Sequence, residues 1–240
     1  MTSRSFFLVA ATGLASCALP PAVETPAFPA VTPASCLSMA EAYRTHRWTG
    51  TVANAKHGLD SHGIRVDTPD ISYQKPGAVP GWWHVGAVNE SVPYQWGGFS
   101  TIAEFDAGLR AGKAAGDVYT SEKRRLLDDA VSSEAVGIDC SGFISRCWKL
   151  PRSFSTRELA ALCVPLNSWD DLHPGDILNT FNAHCLLFAG WNDPAHEKLI
   201  AYETGSPPDW KVVVHTIDAN WLRSLGYRPF RYRNMEGAVR

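Results

Sequence analysis

The chain has 240 residues and a formal net charge of −2 at pH 7, which excludes a nucleic-acid binder that works through a broad basic field. With 45% hydrophobic, 11% aromatic and 19% charged residues it can bury a sizeable core, and it is neither a disordered chain nor a coiled coil. Its 19 glycines and 16 prolines favour a turn-rich fold with several short strands over a helical bundle.

The first residues, Met1 to Ser16, carry one cation, Arg4, and then an uncharged run that suits an export signal and is too short to span a bilayer. The run ends in Leu14-Ala15-Ser16-Cys17, which resembles the lipobox of bacterial lipoproteins; that resemblance implies acylation of Cys17 and attachment to an envelope membrane. Residues 17–35 are Pro-rich and read as an extended tether, leaving 36–240 as a single domain. No later stretch approaches the roughly 18 consecutive apolar residues of a membrane span. Acylation of Cys17 leaves Cys36, Cys140, Cys147, Cys163 and Cys185, an odd number in which at least one thiol stays free. Whether Cys36, Cys147, Cys163 and Cys185 pair or lie buried as small apolar residues is open at this level.

Leu37 to His46 allows a short helix, and Trp48 to Val92 has little periodicity and reads as an irregular, wrapped segment. Helices are expected over Thr101–Lys113 and Thr120–Val131, the second so charged that it reads as a solvated surface. Cys140 to Leu150 has the spacing of a buried helix stopped by Pro151, and Ser155-Thr156-Arg157-Glu158 reads as a capping box. Strands follow at Asp176–Asn179, His184–Ala189, Leu199–Glu203, Lys211–Thr216 and Tyr227–Arg233, with a helix from Asp218 to Leu225. The expectation is an α+β domain, helices first and then a mainly antiparallel sheet of about five strands.

The chemistry concentrates in Gly137-Ile138-Asp139-Cys140-Ser141-Gly142-Phe143, where a cysteine sits at the start of an apolar helix. Unsatisfied backbone N–H groups and the helix dipole favour a thiolate there. His184 opens a later apolar strand and can supply the imidazole of a thiolate–imidazolium pair. Tyr202 and Glu203 are adjacent on the next strand, so only one can face His184; a carboxylate stabilises imidazolium better than a phenol, and Glu203 is the expected third group.

Four ordered pieces now resemble the NlpC-type cysteine peptidases, papain-like bacterial enzymes that cleave the peptide stems of peptidoglycan. They are Pro93-Tyr94-Gln95-Trp96-Gly97-Gly98, Asp139-Cys140-Ser141-Gly142-Phe143, Pro174-Gly175-Asp176-Ile177, and His184 with the apolar strand that ends at Gly190. The resemblance implies a papain-like fold, Cys140 as nucleophile, His184 as base, and Tyr94, Asp139 and Ser141 at the substrate or oxyanion. It also implies hydrolysis of an amide bond in a stem peptide by a monomer without cofactor or metal; the alternatives are an amidase or acyltransferase on another envelope substrate, or a catalytically inactive envelope binding protein. The chain departs from the family pattern in three ways. Residues 99–138 intervene where the family has a short link, and two expected helices there are candidates to cover the cleft. The third catalytic position is often His in the family, and residues 36–92 match none of its wall-binding modules.

Other patterns carry less. His57-Gly58-Leu59-Asp60-Ser61-His62 has no metal-ligand spacing and reads as a turn, as does Arg65 to Asp70. Trp82, Trp83 and His84 read as a seal over the core beneath them, and Gly97-Gly98 lacks the Lys and Ser or Thr of a nucleotide loop.

Overall fold

The computed structural model describes residues 28–74, 81–205 and 209–237. The expected export signal, Cys17 and most of the expected tether lie outside the described residues. Six α-helices occur among those described: α1 (Pro33–Thr45), α2 (Ile102–Arg110), α3 (Ser121–Leu126), α4 (Cys140–Cys147), α5 (Thr156–Leu159) and α6 (Ala219–Ser224). Local sequence explains where several begin. Thr32 caps α1 with Pro33 in its first turn, Thr101 and Glu104 form a capping box on α2, and Ser155 and Glu158 form another on α5.

The segment expected to be irregular holds four strands of three residues each, β1 (Arg47–Thr49) paired with β4 (Val88–Glu90) and β2 (His57–Leu59) with β3 (Arg65–Asp67). Two further short strands, β5 (Ala114–Ala115) and β6 (Ala135–Val136), run parallel. The main sheet is antiparallel throughout and has six strands, with β7 (Cys163–Pro165), β8 (Ile177–Asn179), β9 (Cys185–Trp191), β10 (Lys198–Thr204), β11 (Val212–Asp218) and β12 (Arg228–Tyr232) in the order β11-β10-β9-β8-β12-β7. The sixth strand, β7, went unread because it is a three-residue edge strand ending in a proline, which only an edge tolerates.

Alternation along the central strand explains its continuous apolar run. Cys185 and Leu187 of β9 join the main core with Phe143, Ile144 and Trp148 of the α4 region, while Leu186 and Phe188 join a second cluster with Leu199, Ala219 and Leu222. Both faces of the sheet are therefore covered.

The expected second helix of the 99–138 insertion is shorter than expected, and it is the solvated surface its composition indicates except at Lys123. It stops at Leu126, a short 3₁₀ turn covers Leu127–Ala130, and Leu127 has a positive φ of 53°. Lys123 is buried, with Nζ 2.5 Å from Asp117 Oδ2 and 2.5 Å from the Arg65 carbonyl. A charged helix thus turns one cation inward because a buried carboxylate is there to receive it.

Candidate active site

The insertion leaves the site intact because its two ends meet. Tyr94 bridges Ile138 in parallel and Phe99 bridges Ile138 antiparallel, with Gln95 N–H donating to the Ile138 carbonyl at 3.1 Å and Asp139 N–H to the Gly98 carbonyl at 3.0 Å. A Cβ on Gly142 would collide with the Gly98 carbonyl, so the first turn of α4 needs glycine to seat on the Trp-Gly-Gly turn. The Pro174-Gly175-Asp176-Ile177 piece anchors the sheet. The Trp148 indole donates to the Gly175 carbonyl at 3.2 Å, and fully buried Asp176 pairs with Arg231 at 2.8 Å.

Asp139 is the N-cap of α4, accepting from Gly142 N–H at 2.5 Å and from the Ser141 hydroxyl at 3.0 Å. Both residues line the cleft beside Cys140, and their side chains bond to each other and to the helix end. Burial, reinforced by the Cys140 thiolate, pushes the Asp139 carboxyl up to about 7. As the first residue of α4, Cys140 has a backbone N–H without an intrahelical acceptor.

His184 is held by a tight turn, in which its N–H donates to Thr180 Oγ1 and the Thr180 hydroxyl donates to its carbonyl, both at 3.0 Å. Its Nε2 lies 2.5 Å from Glu203 Oε2, which leaves Nδ1 as the ring nitrogen for the thiol. Strand alternation decides between the two neighbours on β10. Tyr202 points toward α1 and its hydroxyl donates to Glu41 at 2.9 Å, while Glu203 projects to the other side and is buried.

The thiol of Cys140 lies well below its ordinary range. A hydrogen bond from the Cys185 side chain is the largest cause, and against the opposing effect of burial it is joined by the charge and hydrogen bond of His184 and by the Cys185 backbone N–H. For His184, burial works against the charged ring, but the Cys140 thiolate and the Glu203 carboxylate outweigh it and raise the imidazole to about 10. Both shifts favour the thiolate–imidazolium form of the pair.

Tyr94 is buried against Trp210, and a Cβ on Gly205, whose φ is +96°, would strike its ring. Tyr94 lines the Cys140 cleft, and its hydroxyl has no hydrogen-bond partner among the described residues. Burial and then the nearby thiolate push it well above 10, so it remains a donor. Of the insertion, Tyr119 just before α3, Arg124 of α3, and Leu127 and Asp128 of the turn after it border the cleft, whereas α2 packs Phe105 into the main core against Trp48.

Two groups escaped the sequence reading. Cys185 follows His184 directly, and that adjacency was the available signal. His215 on β11 places Nε2 2.6 Å from Glu203 Oε1, a contact set by the Ala201↔His215 register and invisible without it. The other expected features are structural. Trp83 is fully buried, His57 bonds Asp70 at 2.9 Å and Ser72 at 3.1 Å, and Asp60 closes its own turn through the N–H groups of His62 and Ile64. Cys36, Cys147, Cys163 and Cys185 are free and buried; burial raises the Cys36 thiol to about 12. A larger cavity of about 790 Å³ between β2, β3 and α3 contains neither Cys140 nor His184, so chemistry rather than size selects the cleft of about 300 Å³.

Comparison with protein-family models, curated proteins and solved structures finds no match to this chain.

Proposed function

We propose that the chain is a thiol hydrolase of the NlpC type, papain-like in fold, which cleaves an amide bond in peptidoglycan stem peptides. The observation that carries this reading is a thiol at a helix start, coupled to an imidazole whose far nitrogen rests on a buried carboxylate. Cys140 thiolate attacks the amide carbon, and the carbonyl electrons move to an oxyanion held by the Cys140 N–H and the Tyr94 hydroxyl. Collapse of that intermediate breaks the C–N bond while His184 gives its proton to the departing amine. His184 then takes a proton from water, whose oxygen displaces the thiolate from the acyl group. Glu203 keeps the imidazole oriented and stabilises its charged form throughout. No step calls for a cofactor or metal. In this reading the protein acts as a monomer on the cell wall, without nucleic acid, and lipid on Cys17 holds it at the envelope membrane.

The deciding experiment is digestion of purified peptidoglycan followed by mass spectrometry of the released fragments. New amine termini should appear with the wild-type chain and vanish with Cys140→Ala; fragments released equally by both would refute the thiol mechanism. Membrane attachment is tested separately, since a Cys17→Ala chain that still sediments with membranes would rule out a lipid on that residue.

A further inference from the structure

Cys140 touches a second thiol, and the hydrolytic mechanism has no use for it as a sulfur. Cys185 opens β9 and, by strand parity, turns its side chain to the core face against which α4 and Cys140 pack. There its S–H donates to the Cys140 sulfur, and its backbone N–H donates to the same atom. Two sulfurs in hydrogen-bond contact are set to join once one of them is oxidised. The other thiols are placed differently. Among the described residues Cys140 is the one half-buried cysteine, whereas Cys36, Cys147 and Cys163 are buried and burial holds each of those thiols up. Cys163 is also occupied, donating to the Leu159 carbonyl at 3.2 Å.

The two sulfurs in contact also differ from each other in the way a reacting and a resolving thiol must. Cys140 lines the open cleft beside His184, where a small oxidant reaches it and where its thiolate is favoured. Cys185 is buried and does not line the cleft; burial, and then its bond to Cys140, raise its thiol well above the ordinary range. An oxidant therefore meets Cys140 first. Cys185 stands behind it on the core side, so its sulfur approaches from within while a leaving oxygen departs into the cleft.

We propose that Cys140 and Cys185 form a site of oxidative cross-linking, at which a hydroperoxide closes a disulfide that switches the hydrolase off and shields its nucleophile from irreversible oxidation. What is switched rests on the hydrolase reading; the chemistry rests on the two thiols alone. The Cys140 thiolate attacks the terminal oxygen of the hydroperoxide, the O–O bond breaks, and Cys140 becomes a sulfenic acid while the departing alkoxide or hydroxide takes the His184 proton. The Cys185 sulfur then attacks the Cys140 sulfur. Its S–S bond forms as the S–O bond breaks, and the sulfenic hydroxyl leaves as water with the Cys185 proton. The two thiols give up two electrons and the peroxide gains them. A small dithiol reverses the step by exchange.

The test treats the reduced full chain with hydrogen peroxide, unfolds it in iodoacetamide and maps every cysteine by mass spectrometry after proteolysis. Wild type should yield a disulfide between Cys140 and Cys185, with Cys36, Cys147 and Cys163 recovered alkylated. Its release of peptidoglycan fragments should fall in proportion to the cross-linked fraction and return with dithiothreitol. Cys185→Ser keeps a donor beside Cys140 but cannot close the bond, so Cys140 should run on to sulfinic and sulfonic acid, and the activity lost relative to the untreated variant should not return. Cys185→Ala should behave alike, which keeps the test open if one variant folds poorly. Absence of the disulfide, a disulfide from Cys140 to another cysteine, irreversible oxidation at equal rates in wild type and both variants, or full hydrolysis by the cross-linked chain would overturn the proposal. The mapping reads the thiols alone. A chain that closes the disulfide but releases nothing from peptidoglycan even when reduced keeps the cross-linking site and loses the hydrolase assignment.

Discussion

Asp117 and Glu203 are two of the buried carboxylates that hold a cation, and of these two only Glu203 holds one that faces a reactive group. Asp117 is fully buried, receives Lys123 Nζ at 2.5 Å on one oxygen and accepts the Asp67 N–H at 3.0 Å on the other, while the same ammonium also donates to the Arg65 carbonyl. Glu203 is nearly as deep, with His184 at 2.5 Å on one oxygen and His215 at 2.6 Å on the other. Both arrangements bear a desolvation cost that their hydrogen bonds offset. What differs is the far side of the cation. Lys123 ends in protein, so its charge serves the fold; His184 ends at Cys140 in an open cleft, so its charge serves a thiolate. A buried ion pair is by itself no mark of function, and the side left open decides.

The largest effect that would break this contrast is at the open side. Cys140→Ala and His184→Ala should each lower hydrolysis by about 10⁴-fold or more, since nucleophile and acid act as a unit. The pH profile follows from the two shifts. Hydrolysis needs thiolate and imidazolium together, so its rate should fall on the acid side as Cys140 takes up a proton, at a pH well below the ordinary thiol range, and on the alkaline side as His184 loses its proton near 10. Alkylation of Cys140 needs only the thiolate and should stay fast above 10. A Cys140 that alkylates like an ordinary thiol at mildly acidic pH would remove the contrast altogether.

At the closed centre the expected loss is one of stability. Lys123→Met leaves Asp117 buried without its cation and should cost about 3–5 kcal/mol at pH 7 in denaturant unfolding. The sign with pH is set by Asp117, whose carboxyl burial raises from 3.8 to about 6 even beside Lys123. A raised acid binds its proton more readily when folded, so its unfavourable contribution grows as pH rises from about 4 through 6. The gap between variant and wild type should therefore narrow on acidification. Cys140 alkylation in the folded variant should match wild type; a large drop would mean that the two centres are one system.

How far the sequence foretold these centres follows from how each is built. The main sheet announces itself because β9 and β10 alternate between two apolar clusters, and α4 because its apolar spacing and its Asp139 cap are local. Cys140, His184 and Glu203 are legible because each sits at an end or on a fixed parity of such an element. The region from Trp48 to Val92 is held instead by single buried polar groups. Asn54 donates to the carbonyls of Leu109 and Lys113, Asn89 to those of His84 and Ala87, and Asp67 meets Asp117 across the chain. Such contacts obey no period, so composition reads as loop. Lys123 hid because Asp117, six residues before it, lies outside the helix and at no helical spacing, while its other acceptor, the Arg65 carbonyl, is 58 residues away.

A smaller effect sharpens the catalytic centre. Glu203→Gln keeps the volume and removes the charge that helps raise His184 to about 10. Hydrolysis should drop by about 10²-fold, with the alkaline limb moved to lower pH, because the imidazolium loses its counter-charge. An unchanged profile would assign Glu203 to packing alone.

The smallest effect tests whether His215 belongs to the centre. Its Nε2–H donates to Glu203 Oε1 in either charge state, so it can hold the carboxylate in register with His184 without being charged. Its ring is raised above 6.5, chiefly by that hydrogen bond, and partly by the nearby Asp209, against burial and the charge of His184. A base raised on folding adds stability that is complete below about 6.5 and is lost as pH climbs through the folded value. With the side chain 42% exposed, that contribution should stay under about 1 kcal/mol. His215→Ala should slow hydrolysis by about threefold and should be less stable than wild type mainly in acid. His215→Gln separates the two roles, since its amide can donate to Glu203 but cannot take a proton. If orientation is what His215 supplies, the glutamine variant recovers the rate and not the acid-side stability; if it recovers neither, charge on His215 is what the centre uses.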